Sequence, residues 1–226
     1  MKITRLLLAA AATLMLTTSC EALLDSLAKN PIFTFTDSTV CDGQSAYLGL
    51  TATCKVGWKT NRPDIVTLEY DADGHECVGT FILPSGAKQV TEVTITTTNL
   101  DDSTVDPYVG TVTVAPWKLA LYKQNGENWV LQTGTADSYS WTKIGNGKYK
   151  VQMQYLEGSE YKDITGIPYR VGTLESNKVK WQGGSLVSSI EKEEYSQEFE
   201  LTAKPSSSTT IKATLGPVEH TLVITQ

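Results

Sequence analysis

The chain has 226 residues, and its 19 Lys and Arg against 25 Asp and Glu give a formal net charge of −6. This balance argues against nucleic acid as a partner, because binding to phosphates requires clustered Lys and Arg. It also argues against electrostatic adsorption to anionic lipid. The roughly 200 residues that follow the N-terminal segment fit one large domain or two ordinary ones.

The N-terminal segment has the pattern of a secretory signal. Lys2 and Arg5 precede an apolar run over residues 6–16, and three small residues lead to Cys20. The run is too short and wrongly flanked for a spanning helix. A cysteine directly after small residues makes the segment resemble a bacterial lipoprotein signal. The resemblance implies a signal peptide over residues 1–19 and lipid on Cys20, so that the protein is anchored in the cell envelope, with the outer membrane expected. The alternative is an ordinary cleaved signal in which the cysteine is incidental.

Residues 20–31 are predicted to be the lipidated cysteine and a short tether. After them, the apolar residues recur with a period of two. Alternation of this kind is typical of strands with one buried and one exposed face. Turn-forming residues separate the alternating segments at short intervals, a spacing that predicts β-sandwiches. The fold class is therefore predicted to be all-β. The clearest alternating residues are Val93 and Ile95, Val112 and Val114, and Tyr149, Val151, Met153 and Tyr155.

Several motifs in the first half are similar to those of the bacterial immunoglobulin-like domain of group 2. The similarity covers residues 32–115, and it implies a sandwich used as a spacer or adhesive module, without catalytic residues. The middle of the segment is longer than usual for that family, and its cysteines are not part of the pattern. The matching segments are Gly57-Trp58-Lys59-Thr60-Asn61, Ile65-Val66-Thr67-Leu68, Asp73-Gly74, Val93-Thr94-Ile95 and Val112-Thr113-Val114.

A domain junction is predicted at Ala115 and Pro116, where the closing strand of the first half ends and a new alternating series starts. Residues 116–226 are expected to form a second all-β domain, also immunoglobulin-like. The architecture predicted from the sequence is thus a pair of tandem antiparallel sandwiches behind a lipoprotein signal peptide.

The three cysteines after Cys20 can form one disulfide in an oxidising compartment. Cys54 is expected to end a strand that begins near Ser45, and Cys77 to begin the antiparallel neighbour of that strand. Their Cα atoms could then approach within the roughly 4.4–6.8 Å that a disulfide requires. Cys41 would lie about 30 Å from Cys54 along a straight strand. The sequence therefore predicts a Cys54–Cys77 disulfide, with Cys41 left over.

Patterns for catalysis or metal binding are weak. His75 and Cys77 could form a nucleophilic pair, but no third group is expected to orient them. The acidic turn at residues 71–76 offers several oxygens yet lacks the distal glutamate of a calcium loop, so a solvated turn is expected. His220 is expected to be a partly buried imidazole with a hydrogen-bond partner. No catalytic residue, metal or cofactor is predicted.

Aromatic residues are concentrated in the second half. Most of them are expected to pack in the core or between strands, because they lie on alternating strands. Sugar rings stack on exposed Trp and Tyr faces, so the aromatic residues near loops, Trp129 and Trp181, are candidate glycan-binding residues. The full set comprises Trp117, Tyr122, Trp129, Tyr139, Trp141, Tyr149, Tyr155, Tyr161, Tyr169, Trp181 and Tyr195.

These features predict a lipid-anchored binding or adhesion module of the cell envelope that captures glycan or assembles surface complexes. The combination resembles lipoproteins of Bacteroidota. Its expected partners are the membrane, through lipid at Cys20, and a glycan or another envelope protein, but not nucleic acid. One alternative is a structural spacer. The other is a glycan-active enzyme, which would need two carboxyl groups roughly 5–9.5 Å apart.

Overall fold

The computed structural model describes residues 32–33, 38–50, 54–135, 137–166, 174, 177–183, 195–202 and 208–226. The predicted signal peptide and the anchor at Cys20 lie outside these residues. Within the described ranges the protein is all-β, and no helix there is long and apolar enough to cross a membrane. The elements, in chain order, are β1 (Ile32–Phe33), β2 (Ser38–Cys41), β3 (Ser45–Leu50), β4 (Val56–Thr60), β5 (Val66–Tyr70), β6 (Glu76–Phe81), β7 (Thr91–Asn99), β8 (Tyr108–Ala115), β9 (Trp117–Asn125), β10 (Asn128–Leu131), β11 (Ser138–Ser140), α1 (Trp141–Ile144), β12 (Gly147–Glu157), β13 (Glu160–Asp163), β14 (Lys180–Gly183), β15 (Ser196–Leu201), β16 (Thr209–Leu215) and β17 (Val218–Thr225).

The first sandwich consists of two four-stranded sheets, with strand orders β1-β3-β6-β5 and β2-β8-β7-β4. Every pair is antiparallel except β2 with β8, which run parallel. An immunoglobulin-like domain has seven strands. Counted in chain order, its first, second, fifth and fourth strands form one sheet, and its third, sixth and seventh strands form the other. The strand pairing therefore defines the first sandwich as immunoglobulin-like, with its first strand split into β1 and β2.

The core of the first sandwich follows from the alternation seen in the sequence. Val93 and Ile95 on β7 and Val112 and Val114 on β8 are fully buried, while the threonines between them are partly exposed. Trp58 on β4 is buried among them, and its indole N–H donates a 2.8 Å hydrogen bond to the carbonyl oxygen of Gly74. A buried Trp on this strand is typical of immunoglobulin-like folds.

The second sandwich repeats the pairing scheme of the first. Strand β12 pairs antiparallel with β9 on one edge and with β15 on the other. In the opposing sheet β11 runs parallel to β17, which pairs with β16, and β16 pairs with β14. Strands β9, β11, β12, β14, β15, β16 and β17 thus correspond to β1, β2, β3, β4, β6, β7 and β8. The structure therefore contains tandem immunoglobulin-like sandwiches.

Two hairpin strands and a short helix add to this framework in the second sandwich. β10 pairs antiparallel with β9, and β13 pairs antiparallel with the end of β12. The helix α1 lies between β11 and β12, with both Trp141 and Ile144 buried. The hydroxyl of Tyr149 lies 2.6 Å from the carbonyl oxygens of both Ile144 and Gly145, at the C-terminal end of this helix.

The two sandwiches meet at an interface that we call the seam. Only Pro116 separates β8 from β9. The indole N–H of Trp117 donates a 2.8 Å hydrogen bond to the carbonyl oxygen of Asp42. Gly43 has φ of 87°, and a Cβ atom there would lie 2.2 Å from the carbonyl oxygen of Leu215. Only glycine fits this position, because it tolerates positive φ and has no side chain to collide with the other sandwich.

Asn177 joins the two sandwiches through its side-chain amide. Its Oδ1 accepts a 2.8 Å hydrogen bond from the N–H of Ser45, and its Nδ2 donates a 2.7 Å bond to the Ser45 carbonyl oxygen. Strand β1 covers the edge of β3 at Gly49 and Leu50, whereas the Asn177 amide satisfies the backbone of β3 at its first residue. Asn177 is only 6% exposed, so both hydrogen bonds are shielded from water.

The predicted disulfide is not present. Cys41, Cys54 and Cys77 are all reduced thiols in the structure. β3 and β6 are antiparallel neighbours as predicted, but their register places Gly49 rather than Cys54 opposite Cys77. The error lies in the assumed register of this pair. Cys41, the cysteine predicted to be left over, is buried in the core cluster of the second sandwich.

Candidate functional site

The outer surface of the sheet formed by β9, β10, β12 and β13 carries several aromatic and polar side chains. Leu119 and Leu121 on β9, and Val151 and Met153 on β12, belong to the core. Because successive side chains of a strand point to opposite faces, the residues between them point outward. We call this outer surface the aromatic face. In the strand register, Tyr122 lies opposite Lys150, and Gln154 lies opposite both Lys118 and Asp163. The aromatic face is defined by Lys118, Tyr122, Trp129, Lys150, Gln154, Tyr161 and Asp163.

Two aromatic rings of this face share one cation. The ammonium group of Lys150 lies 5.0 Å from the ring centroid of Tyr122 and 5.4 Å from that of Trp129. At one side of the face, the ammonium of Lys118 lies 4.0 Å from the ring centroid of Tyr161. Both Trp129 and Tyr122 are partly exposed. The rings and the lysines therefore form a surface at which an aromatic face, a cation and water are all accessible.

A hydrogen-bond network fixes the phenol of Tyr122. Its hydroxyl donates a 3.0 Å hydrogen bond to Oδ1 of Asp163 and accepts a 3.0 Å bond from Nε2 of Gln154. The same Gln154 nitrogen donates a 2.8 Å bond to Oδ1 of Asp163. Burial, reinforced by the hydrogen bond to Asp163, raises the pKa of Tyr122 to about 12. The phenol stays protonated at neutral pH, so it can only act as a neutral hydrogen-bonding and stacking group.

A cavity of about 340 Å³ lies at the hairpin of β9 and β10. Three side-chain amides contribute to its walls, those of Gln124, Asn125 and Gln132, together with Val130 and Lys123. The ammonium of Lys123 donates a 2.5 Å hydrogen bond to the carbonyl oxygen of Ile144. Amide groups can both donate and accept hydrogen bonds, as a polyhydroxylated ligand would require.

The two predicted glycan-binding residues have different environments. Trp129 lies on β10, partly exposed on the aromatic face. Trp181 does not lie on the aromatic face. It is on β14, is only 8% exposed and belongs to the core of the second sandwich. The prediction of Trp181 as a surface residue is therefore wrong. β14 corresponds to β4, and Trp181 has the place of Trp58, the buried tryptophan expected of this strand.

His75 and Cys77, the candidate nucleophilic pair, lie in surroundings that give them no catalytic character. His75 lies 3.0 Å through Nε2 from the carbonyl oxygen of Cys54, and its backbone N–H donates a 2.6 Å hydrogen bond to Oδ1 of Asp71. Burial raises the pKa of the Cys77 thiol to about 12, which leaves it protonated and weakly nucleophilic at neutral pH. In the described part of the chain, no group of three or more His, Cys, Asp or Glu side chains could hold a metal ion.

His220 lies at the seam. Its ring centroid is 4.1 Å from that of Trp117, with the two planes inclined at 58°. The imidazole therefore packs against an aromatic ring, and its hydrogen-bond partner stays a prediction. Burial lowers the pKa of His220.

Strand pairing and core positions define the class of this protein as a tandem immunoglobulin-like β-sandwich protein. No family model matches the sequence, and no curated protein matches it. Among solved structures, the D00–D0 domain of intimin is similar to this chain. The match covers 87% of this chain and 99% of the intimin domain, with 7% sequence identity and a TM-score of 0.30. A match to domains 5–6 of the S-layer protein SbsC covers 87% of this chain and 99% of that structure, with 14% identity and a TM-score of 0.27.

A third similar structure is an endo-fucoidan hydrolase of glycoside hydrolase family 107, which matches 92% of this chain with 10% identity and a TM-score of 0.32. The chain spans only 29% of the length of that enzyme. The strand pairing of the two sandwiches, rather than any of these similarities, defines the immunoglobulin-like class.

Proposed function

We propose that the protein is a non-catalytic binding module of the cell envelope and that it captures glycan on the aromatic face. One observation carries the proposal: the rings of Trp129 and Tyr122 lie on one outer face of a sheet, with Lys150 within reach of both. Aromatic rings with a polar edge are suited to surfaces where one side of a ligand is apolar and the other is hydrated. A pyranose ring has this character, since its C–H groups lie on its faces and its hydroxyls at its edge.

The polar groups of the face supply the remaining contacts. Beside the Tyr122 hydroxyl, Gln154 donates a 2.8 Å hydrogen bond to Oδ1 of Asp163. The carboxylate has further lone pairs, with which it can accept hydrogen bonds from sugar hydroxyls. Lys150 must move aside for a ring to stack on Trp129, and giving up an exposed cation–π contact costs about 0.5–1 kcal/mol. The moved ammonium can then donate hydrogen bonds to the same ligand.

The setting of this function is part of the same proposal. Lipid on Cys20 would attach the protein to the envelope, with the outer membrane as the expected location, and the first sandwich would act as the spacer module that its group 2 resemblance implies. Replacing Cys20 by Ala should release the protein from the membrane fraction. Recovery of the native chain as a soluble protein with unmodified Cys20 would contradict the anchor.

The test of glycan capture is a glycan-array screen of residues 21–226, followed by titration calorimetry with each glycan that binds. We expect Trp129→Ala to weaken binding about tenfold or more, equivalent to about 1.4 kcal/mol. Tyr70→Ala is the matched control, because Tyr70 is 52% exposed on β5 of the first sandwich and away from the aromatic face. No binding to any glycan, or equal binding by the Trp129→Ala variant, would overturn the proposal.

Assembly with another envelope protein is the second candidate function. Val130 and Leu131 on the edge strand β10 are 47% and 56% exposed. Exposed apolar residues on an edge strand favour pairing with another chain. A Val130→Lys variant that loses a protein partner while keeping glycan binding would favour this second function.

A further inference from the structure

A second cavity lies at the seam between the two sandwiches. Its volume is about 320 Å³, which is within the range of small-ligand sites. Both sandwiches contribute to it: Ser45 and Thr80 from the first, and Lys178, Lys180, Thr214, Gly216 and Pro217 from the second. The cavity therefore depends on how the two sandwiches are docked.

Its side-chain chemistry is dominated by cations and hydroxyl groups. Lys178 and Lys180 line one part of it, and none of the described lining residues is acidic, although the whole chain has a formal charge of −6. Lys180 makes no ion pair with any residue that the structure describes. The nearby Glu219 is already held by Lys212, with 2.7 Å between Nζ and Oε1. The cavity is thus a local site of positive charge on an acidic protein.

The hydroxyl groups have a fixed arrangement. Oγ of Ser45 lies 2.9 Å from Oγ1 of Thr80, and each hydroxyl retains hydrogen-bonding capacity toward the cavity. Thr214 on β16 lies opposite Lys180 on β14 in the sheet register. The backbone of Ser45 is held by both atoms of the Asn177 amide. The wall of the cavity is therefore built on paired strands and on the buried Asn177 contact rather than on surface side chains alone.

We propose that this seam cavity binds a sugar residue that carries an anionic group, either a carboxylate or a sulfate. Lys180 supplies a charge-assisted hydrogen bond that such a group needs, and this is stronger than a hydrogen bond between neutral partners. The three hydroxyls, on Ser45, Thr80 and Thr214, match the hydroxyl groups of one sugar ring, whose size agrees with the volume of the cavity. The site is separate from the aromatic face, so its failure leaves the proposed function standing.

Titration calorimetry and saturation-transfer NMR with glucuronic acid, glucose 6-sulfate, glucose and inorganic sulfate test the proposal. The two anionic sugars should bind, more weakly as salt rises, and glucose should bind at least tenfold less well. Lys180→Gln should reduce affinity for both anionic sugars by about tenfold, in line with a hydrogen bond to a charged group. Thr214→Glu should abolish their binding, because it places a carboxylate in the cavity. A preference for glucuronic acid or for glucose 6-sulfate identifies which anion the site takes.

Two controls separate this site from the rest of the protein. Lys59→Gln removes an exposed lysine on β4 of the first sandwich and should leave binding unchanged. Trp129→Ala should weaken glycan binding at the aromatic face without altering the response to the anionic sugars. Equal binding of glucose and glucuronic acid, binding of inorganic sulfate as tight as that of glucose 6-sulfate, or full affinity in Lys180→Gln would each overturn the proposal.

Discussion

The two sandwiches share a strand-pairing scheme, yet they differ in what is attached to it. In the first, the sheet containing β3 ends with the framework strands β1 and β5. In the second, the equivalent sheet is extended by β10 and β13, which have no counterpart among the described strands of the first. Trp129 lies on β10, and Tyr161 and Asp163 lie on β13. The framework strands thus set the fold and carry four of the seven residues of the aromatic face, while the added hairpin strands supply the other three.

The largest expected effect comes from the equivalent tryptophans of the two cores. Trp181→Ala should destabilise the second sandwich by about 3–5 kcal/mol, and Trp58→Ala should do the same to the first, because each leaves a cavity in its own core. In calorimetry, Trp181→Ala should lower the unfolding temperature of the second sandwich, and Trp58→Ala should lower that of the first. If both variants shift one common transition equally, the chain unfolds as a single unit, contrary to the division predicted at Ala115 and Pro116.

A smaller effect is expected at the contact that joins the sandwiches. Asn177→Ala removes both hydrogen-bond partners of the Ser45 backbone, which should cost about 1–3 kcal/mol. We expect the unfolding transitions of the two sandwiches to move apart in calorimetry, since the substitution weakens their coupling. Gln182→Ala, at an exposed position on β14, is the matched control. An unchanged thermogram for Asn177→Ala would show that this amide does not couple the sandwiches.

The smallest effect is a dependence of stability on pH at the same interface. Burial lowers the pKa of His220 in the folded state, so the unfolded chain binds a proton more readily. Stability should therefore fall as the pH drops below about 6.5, the ordinary value for histidine. His220→Phe keeps a ring against Trp117 and should flatten this dependence, as measured by thermal unfolding at several pH values. The prediction fails if the variant and the native chain have the same pH profile.

Much of the framework could be predicted from the sequence, because period-two alternation directly reflects burial. Val93, Ile95, Val112 and Val114 alternate with threonines, and all four are buried on paired strands. The same reasoning misplaced Trp181, since closeness to a loop says little about the face to which a side chain points. Comparing Lys180-Trp181-Gln182 with Gly57-Trp58-Lys59 would have provided the missing signal, for both tryptophans precede a polar residue on equivalent strands.

The candidate sites were less predictable, because they depend on contacts between residues distant in the sequence. Tyr122 and Asp163 are 41 residues apart, and Ser45 and Asn177 are 132 apart. Local patterns carry no information on such pairings. The register of β3 had the same limitation, because its alternation does not show that Gly49 lies opposite Cys77. The disulfide prediction failed for that reason.

The parallel pairing of β2 with β8 has a mechanical consequence. The register runs from Ser38 opposite Val112 to Cys41 opposite Ala115. If opposite forces act on the start of β2 and the end of β8, the two strands must slide past each other along their length. All the hydrogen bonds between them then bear load together, instead of opening one after another from one end. β11 and β17 have the same parallel arrangement, so each sandwich resists stretching along its strands through a pair loaded in shear.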